Sequence, residues 1–306
     1  MTPSPQITPS SWLMVATLAF VWGGTFLVTE VALEGITPFW LAASRVTLAA
    51  VVMGVVWATR GFRLFSQPGT VTDKIILLII GGLSSAVPFA LLAWGQQHVT
   101  AGFAGVSMAS VALIILPLAH LFVPGERMTL RRLLGFLIGF GGVVVLIGDQ
   151  AFESSGQNLE TFGRLACIAA ATCYACSSIL MRRLPPVDPI GLASVLVIAG
   201  AAYGIPLALL MEGRPSVPDT QTLWVLVFLG LIPTAAANFL RVMVIRTAGP
   251  VFMSLVNYQV PVWSVVLGAV FLAEPLPPSL LWAMVLILSG LGLSQYGALK
   301  RLFGGR

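Results

Sequence analysis

Long apolar runs are the feature of this sequence that most restricts its fold. Ten such runs follow one another, separated by short charged or Gly/Pro-rich turns. A helix of roughly 20 apolar residues spans the hydrocarbon core of a bilayer, whereas a β-barrel would need short alternating segments. We therefore predict an all-α integral membrane protein with ten transmembrane helices at 11–33, 37–59, 75–97, 102–124, 131–149, 162–184, 188–211, 222–246, 249–273 and 279–298.

The composition excludes a soluble protein of this length. Of 306 residues, 58% are hydrophobic and 9% are charged, whereas a soluble domain carries about 25% charged residues. The net charge of +5 does not predict binding to nucleic acid, because the basic residues are scattered and form no stripe. Residues 1–10 lack the basic region of a signal peptide, so we expect the first run to be a retained helix.

The distribution of basic residues predicts the orientation in the membrane. If the N-terminus is cytoplasmic, most of the 16 Lys and Arg residues fall on cytoplasmic connections, in agreement with the positive-inside rule. Arg164 and Arg214 then fall outside, and Arg45 and Arg241 lie within helices. We expect a multi-pass protein of the bacterial inner membrane with both termini in the cytoplasm.

The two halves of the chain resemble each other. Thr100-Ala101-Gly102 is repeated as Thr247-Ala248-Gly249 at an offset of 147 residues, and the stretch 37–44 resembles 188–195. With one residue inserted, the match continues at Glu126 with Glu274, Leu133 with Leu281, and Gly142 with Gly290. We predict a first five-helix repeat at 1–149, a periplasmic linker at 150–161 and a second five-helix repeat at 162–306.

The number of helices in each repeat determines how the repeats are related. Because five is an odd number, the second repeat crosses the membrane in the opposite sense to the first. Inverted repeats are typical of secondary transporters, in which two similar halves move so that a central site opens to each side in turn. The sequence therefore predicts a transporter that works by alternating access.

Four groups of residues carry a resemblance to a known family. They are Trp22-Gly23-Gly24 in helix 1, Pro38 and Arg45 in helix 2, Pro261 and Glu274 around helix 9, and Gly135, Gly139, Gly141 and Gly142 in helix 5. On these residues the chain resembles the ten-helix, EamA-type exporters of the drug/metabolite transporter superfamily. The resemblance implies export of small metabolites, often amino acids and in one subgroup aromatic amino acids. It also implies a central cavity lined by helices 1–4 and 6–9, with helices 5 and 10 peripheral.

Two arginines within the apolar runs are candidate substrate-binding residues. Arg45 lies well inside helix 2, where a lone charge costs at least about 2.5–3.5 kcal/mol. It would bind a substrate carboxylate, or else it bonds to carbonyl groups and a helix end. Arg241, with Asn238 on the same face of helix 8, would line the inward-facing mouth or extend its side chain to the interface.

Helix 9 carries a dense group of polar and aromatic candidates. Asn257, Tyr258 and Gln259 are followed by Pro261 and Trp263. Pro261 frees a backbone carbonyl one turn earlier, so we expect a helix break here, and a broken helix is where transporters commonly build a substrate site. The alternative is that these side chains bond neighbouring helices together.

Three further aromatic residues lie well inside their helices. They are Trp22 in helix 1, Trp94 in helix 3 and Tyr174 in helix 6. Trp and Tyr usually gather at the membrane interfaces, so these rings are candidates to stack on an aromatic or cationic substrate. Packing within the core is the alternative.

Several kinds of chemistry have no support in the sequence. No acid lies in the middle of an apolar run, so proton antiport through a buried carboxylate is not indicated. The pair Cys173 and Cys176 lacks partner ligands for a metal, and there is no Walker loop or HExxH motif. We predict a monomer that transports a small molecule and has no catalytic residue, metal or cofactor.

Other functions are left open by the sequence. The protein could export other metabolites or cationic drugs. A membrane-embedded enzyme would need a nucleophile, an acid or a metal cluster near an interface, and the sequence shows none. A channel would usually show charged rings or symmetric pore helices, which an internally duplicated single chain does not favour.

Overall fold

The computed structural model describes residues 7–65, 69–122, 128–147, 159–181, 184–248, 250–253 and 255–303. These ranges contain ten helices and no strand, apart from an isolated bridge between Phe65 and Val187. The helices are α1 Pro9–Leu33, α2 Pro38–Thr59, α3 Val71–Gly95, α4 Ala101–Phe122, α5 Leu130–Ile147, α6 Leu159–Met181, α7 Pro189–Glu212, α8 at 220–247, α9 at 250–271 and α10 Pro278–Phe303. The predicted all-α fold of ten helices is confirmed.

Most of these helices can span a bilayer. Eight described helices are long and apolar enough to do so, namely α1 to α4, α6 to α8 and α10. Helix α9 contains a shorter apolar helix, Val256–Phe271, and α5 is 18 residues long with two arginines in its first turn. Helix α3 begins before its predicted start and α10 continues past its predicted end, because helical backbone continues through charged residues that the apolar pattern leaves out.

Side-chain caps fix where several helices begin. Thr70 and Asp73 form a capping box at the start of α3, in which the backbone N–H of Thr70 donates to Asp73 over 2.8 Å. Asp188 caps α7 with its own carboxylate. Asp219 caps α8 and accepts from the backbone N–H of Thr222 over 2.7 Å, and this bond lowers the pKa of the Asp219 carboxyl by favouring its charged form.

Two helices contain a π-helical segment at matching places. Gly82–Ala86 is π-helical in α3, and Gly230–Ala236 is π-helical in α8. Both segments begin with a Gly-Leu pair, and the pairs are 148 residues apart. The offset is the one that relates Glu126 to Glu274 in the sequence repeat, although Glu126 itself lies outside the described residues.

Helix α9 is interrupted near its start. It consists of Pro250–Met253 and Val256–Phe271. The predicted break at Pro261 is wrong, because Pro261 lies inside the continuous segment Val256–Phe271. A proline removes one N–H from a helix, which can nevertheless continue through it in a membrane protein, and the described helix continues through Pro261 to Phe271.

Two glutamates connect the halves at one end of the bundle. We name the end at which α1 begins the near end and the opposite end the far end. At the far end, Glu274 accepts hydrogen bonds from the backbone N–H groups of Ala101 (2.6 Å) and Gly102 (3.0 Å) at the start of α4. Glu212, at the end of α7, accepts from two backbone N–H groups in the first turn of α2, each over 3.1 Å. Each carboxylate therefore satisfies helix N-terminal donors that belong to the other half.

The carboxylate of Glu274 is enclosed by small residues. Ala273 precedes it with a positive φ of 52°, and a Cβ added at Gly268 would lie 2.8 Å from Cδ of Glu274. A Cβ at Gly102 would lie 3.2 Å from its Oε2. Glu30 of α1 lies against Glu274, and one oxygen of Glu30 is buried without a hydrogen-bond partner among the described residues.

Helices α5 and α10 pair with each other along glycines. A Cβ at Gly135 would lie 2.5 Å from the carbonyl oxygen of Gly290, and one at Gly142 would lie 2.9 Å from the backbone nitrogen of Ile287. Small residues allow helix backbones to approach closely in a membrane. In the described part of the chain this pair otherwise packs mainly on α4, at the side of the other eight helices.

Candidate functional site

The two π-helical segments join the halves of the molecule. The segment in α3 packs mainly against α7 and α6, and the segment in α8 packs mainly against α2 and α1. A Cβ at Gly200 of α7 would lie 2.5 Å from Cβ of Ser85, and a Cβ at Gly230 would lie 2.7 Å from Cβ of Leu48 in α2. Each segment therefore contacts the first two helices of the opposite half, as expected for a repeated unit.

Arg45 of α2 lies at the junction with α8. Its side chain is buried, with an exposed fraction of 8%, and its Nε donates to the hydroxyl of Thr234 over 2.8 Å. That hydroxyl donates in turn to the carbonyl of Leu229 over 2.8 Å, five residues earlier, which is the spacing of a π turn. The π-helical segment thus presents a fixed hydroxyl acceptor to a buried guanidinium group.

Two aromatic rings lie on the other side of Arg45. Its Cζ is 4.3 Å from the ring centroid of Phe89, an attractive cation–π arrangement, and Phe89 follows the π-helical segment of α3 by three residues. The ring of Phe89 contacts that of Tyr174 in α6, with centroids 6.5 Å apart. Tyr174 is also close enough to Arg45 for an electrostatic interaction. We call Arg45, Phe89, Tyr174 and Thr234 the Arg45 cluster.

Two further predicted residues are bonded to the same π-helical segment. Trp22 of α1 donates from Nε1 to the carbonyl of Pro233 over 3.1 Å. Asn238 donates from Nδ2 to the carbonyl of Thr234 over 2.5 Å. The structure therefore brings together Trp22, Arg45, Tyr174 and Asn238 out of the ten residues predicted to bind substrate.

The predicted group on α9 does not meet the Arg45 cluster through any described bond. Asn257 is exposed, and the bond described for Gln259 lies within its own helix, at 3.4 Å. The hydroxyl of Tyr258 is buried with no hydrogen-bond partner in the described residues. Trp263 packs against Gly23 of α1 and makes an edge contact with Phe20 at 5.2 Å, so its described contacts are with α1.

Arg241 and Trp94 also lie apart from the cluster. Arg241 is exposed on α8. Trp94 lines a cavity of about 400 Å³ at the far end, together with Phe39 of α2, Leu91 of α3 and Met211 of α7. The cavity residues of α3 share one helical face, at 87, 90, 91 and 94, and Phe89 lies on a different face of the same helix. The role of both residues in substrate binding stays a prediction.

Two residues of the cluster, Phe89 and Thr234, were not predicted from the sequence. Both belong to ordinary apolar or small-residue stretches, and neither carries a charge that would mark it within a bilayer. The sequence feature that could have pointed to them is the Gly-Leu pair at Gly82 and Gly230. The two pairs are 148 residues apart, which is the offset between the matching residues of the two halves. That pair marks the π-helical segments, and the segments in turn position Phe89 and Thr234.

The fold and the site together define a class of protein. A multi-pass helical bundle, in which equivalent helices of two halves meet around a buried charge, has the architecture of secondary transporters. The family model described as the EamA-like transporter family matches residues 10–148 and again residues 161–295. The chain belongs to the EamA-like transporter family, and it is a membrane transporter rather than an enzyme.

Known relatives of similar length carry transporter names. The chain is 26% identical over 302 residues to the "Probable terminal-alkyne amino-acid exporter" of Streptantibioticus cattleyicolor, covering 97% of this chain and 96% of the relative. It is 25% identical over 291 residues to the "Probable amino-acid metabolite efflux pump" of Salmonella typhimurium, covering 90% and 92%. It is 25% identical over 255 residues to the "Uncharacterized inner membrane transporter YedA" of Escherichia coli, covering 82% and 79%.

A solved structure shares the fold. One crystal structure superposes with a TM-score of 0.65 at 24% sequence identity, covering 94% of this chain and 98% of that chain. At this identity the likeness shows the fold alone.

Proposed function

We propose that the protein exports small metabolites, principally amino acids and aromatic ones among them, across the bacterial inner membrane by alternating access. The observation that carries this proposal is the pair of π-helical segments at equivalent places in α3 and α8. Each segment packs against the first two helices of the opposite half. The proposal places the near end and both chain termini in the cytoplasm.

The π-helical segments supply equivalent points at which α3 and α8 can bend. A π turn has looser backbone bonding than the α-helix around it and is frequently found at functional sites. Because one segment belongs to each half, bending at Gly82–Ala86 and at Gly230–Ala236 can open the bundle towards opposite ends. Alternating access needs such a pair of equivalent movements.

The charge at the centre of the site favours amino acids over cationic drugs. Arg45 brings a buried positive charge that no described acid neutralises, since the described ion pairs join Arg60 to Asp188 and Arg164 to Glu160. A cationic drug would be repelled by this charge. The names of the relatives from S. cattleyicolor and S. typhimurium point to the same substrate class.

Transport of labelled amino acids by the purified protein tests the proposal. Full-length protein is reconstituted in liposomes loaded with unlabelled L-phenylalanine or L-leucine, and uptake of the labelled compound by exchange is measured. A carrier gives saturable uptake that depends on internal substrate, whereas a channel gives flux without exchange. If folded protein exchanges neither amino acid, the proposed substrate class is wrong.

Labelling of single cysteines tests the proposed orientation. Lys74 near the start of α3 and Arg214 after α7 are both exposed and lie at opposite ends of the bundle. In a background without the three native cysteines, a membrane-impermeant maleimide should label the Arg214→Cys variant in intact cells. It should label the Lys74→Cys variant only after the cells are permeabilised. The reverse pattern would invert the orientation.

A further inference from the structure

Arg45 uses a small part of its hydrogen-bonding capacity. A guanidinium group has five N–H donors, and the Nε donor is taken by Thr234. Neither terminal nitrogen, Nη1 or Nη2, has a hydrogen-bond partner among the described residues. The exposed fraction of Arg45 is 8%, and its terminal nitrogens are not among the fully enclosed atoms without a partner in the described residues. Four donors of a permanently charged group therefore lie at a largely buried position, partly accessible and without a protein acceptor.

Leaving these donors of Arg45 without acceptors costs free energy unless another group accepts their hydrogen bonds. A buried charge requires a counter-charge or a full set of hydrogen bonds, and the described ion pairs of the chain do not include Arg45. The ring of Phe89 offers attraction on one face of the guanidinium but accepts no bond in its plane. An acceptor that arrives from outside the protein would supply what the fold leaves out.

The contacts of Arg45 leave its terminal edge available. Thr234 holds the Nε atom, and Phe89 lies over the plane of the group, so the guanidinium has a fixed position and direction. The hydroxyl of Tyr174, which interacts electrostatically with Arg45, likewise makes no hydrogen bond within the described residues. A fixed guanidinium edge with a nearby hydroxyl donor is an arrangement that fits two oxygens of one anionic group.

We propose that Arg45 binds the carboxylate of the transported substrate through Nη1 and Nη2, with the rings of Phe89 and Tyr174 beside the substrate's apolar part. The proposal rests on the transport function proposed above and adds the group by which the substrate is recognised. A single arginine matches the single charge of a carboxylate, whereas phosphate sites commonly add helix N-termini and backbone donors. Thr234 and Phe89 act as positioning residues, because they hold the guanidinium and leave its terminal edge available.

Binding of matched compounds to the full-length protein tests the carboxylate. L-phenylalanine, L-phenylalaninamide and phenethylamine differ at this group and keep the same ring. Binding is measured by ligand-induced thermal stabilisation in detergent micelles, and transport is measured by competition against labelled L-phenylalanine in liposomes. Loss of hydrogen bonds to a charged group should weaken binding of the amide and of the amine about 10- to 100-fold relative to the acid.

Variants of Arg45 distinguish recognition from a structural role. In Arg45→Gln the preference for the acid over the amide should fall to near one, and in Arg45→Lys it should be reduced, since an ammonium group lacks the planar fork. Arg214→Gln is the matched control, because it removes an exposed arginine from the loop after α7 and should keep the wild-type preference. If Arg45→Gln does not fold, Thr234→Val, which removes the Nε acceptor, should reduce the same preference.

The possible results separate this proposal from the transport function. Equal binding of acid and amide by the wild-type protein overturns the carboxylate site, and so does an unchanged preference in folded Arg45→Gln. If the amide or the amine is transported and the acid is not, the exporter stands and the carboxylate site is wrong. If none of the three compounds binds or is transported by folded protein, both proposals are wrong.

Discussion

Removal of the Glu274 carboxylate should destabilise the far end of the bundle by a measurable amount. In wild-type protein this group accepts from the N–H groups of Ala101 and Gly102 at 2.6 and 3.0 Å. Ala101 is fully buried, with 0% exposure, so water cannot readily replace the lost acceptor. Helix α4 also has no acidic residue in its own first turn, so negative charge at this N-terminus comes from Glu274, with Glu30 beside it.

The size of the stability loss follows from the two hydrogen bonds to Ala101 and Gly102 and from the opposing contact between Glu274 and Glu30. Each buried donor left without a partner costs about 1–3 kcal/mol, which gives about 2–6 kcal/mol for two donors. Removal of Glu274 also relieves its repulsion with Glu30, which lies against it, and this relief offsets part of the loss. We expect Glu274→Ala to lower the free energy of unfolding by about 2–4 kcal/mol, and Glu274→Gln, which keeps one acceptor oxygen, by about half as much.

Titration with SDS in mixed micelles measures this free energy. Glu212→Ala is the matched comparison, because Glu212 caps α2 from the other half through longer bonds of 3.1 Å at a more exposed site; a loss of about 1 kcal/mol is expected. Glu30→Gln should be neutral or stabilising in wild-type protein. In the Glu274→Ala background it should lose that benefit, because the two carboxyl groups are coupled. If Glu274→Ala changes stability no more than Glu212→Ala does, the buried cap is not the source of stability assigned to it.

Three further changes test other contacts of the structure. Gly290→Ala should destabilise the α5–α10 pair by about 1–3 kcal/mol, because the added Cβ would lie 2.7 Å from Cα of Gly139. Gly141→Ala is the control in the same SDS titration, because a Cβ at Gly141 would have no neighbour within 4 Å. Thr234→Val should lower stability by about 1–3 kcal/mol through the unpaired Nε of Arg45, whereas Thr234→Ser should keep wild-type stability. Asp219→Asn should lower the melting temperature at neutral pH, where the Asp219 carboxylate with its lowered pKa is charged and capped by Thr222. The difference from wild type should shrink as the pH falls below about 4, because stability from a depressed pKa is lost on protonation.

The helices could be predicted from the sequence because the bilayer permits few alternatives. Backbone groups in the hydrocarbon core must bond internally, so a long apolar run such as that of α4 has to form a helix. The ends are less determined by this rule. Helix α3 begins at Val71, before the charged residues Asp73 and Lys74, because a capping box and not an apolar pattern fixes its start.

The candidate site could be predicted in part. Arg45 is evident because a charge in an apolar run is rare and costly. Thr234 and Phe89 give no such signal, since their importance comes from π-helical segments that residue type does not reveal. Local composition predicts a site role for the polar group at Asn257 and Gln259, and that role stays a prediction. The direction in which these side chains face depends on how α9 packs against α1, which residue type alone does not determine.

The two repeated halves share one backbone arrangement, but the residues of the candidate site differ between them. In the matched stretches, Arg45 corresponds to Leu196 and Thr234 corresponds to Ala86. Leu196 has the same exposed fraction as Arg45, 8%, so the two halves offer equally buried positions and one of them carries a charge. Symmetry of the backbone is enough for both halves to move in equivalent ways, while a second buried guanidinium would add the cost of another charge and repel the first. One charge at the junction of the two halves therefore suits the proposed alternating-access transport and the proposed carboxylate site, in which the same Arg45 would meet its ligand whichever end is open.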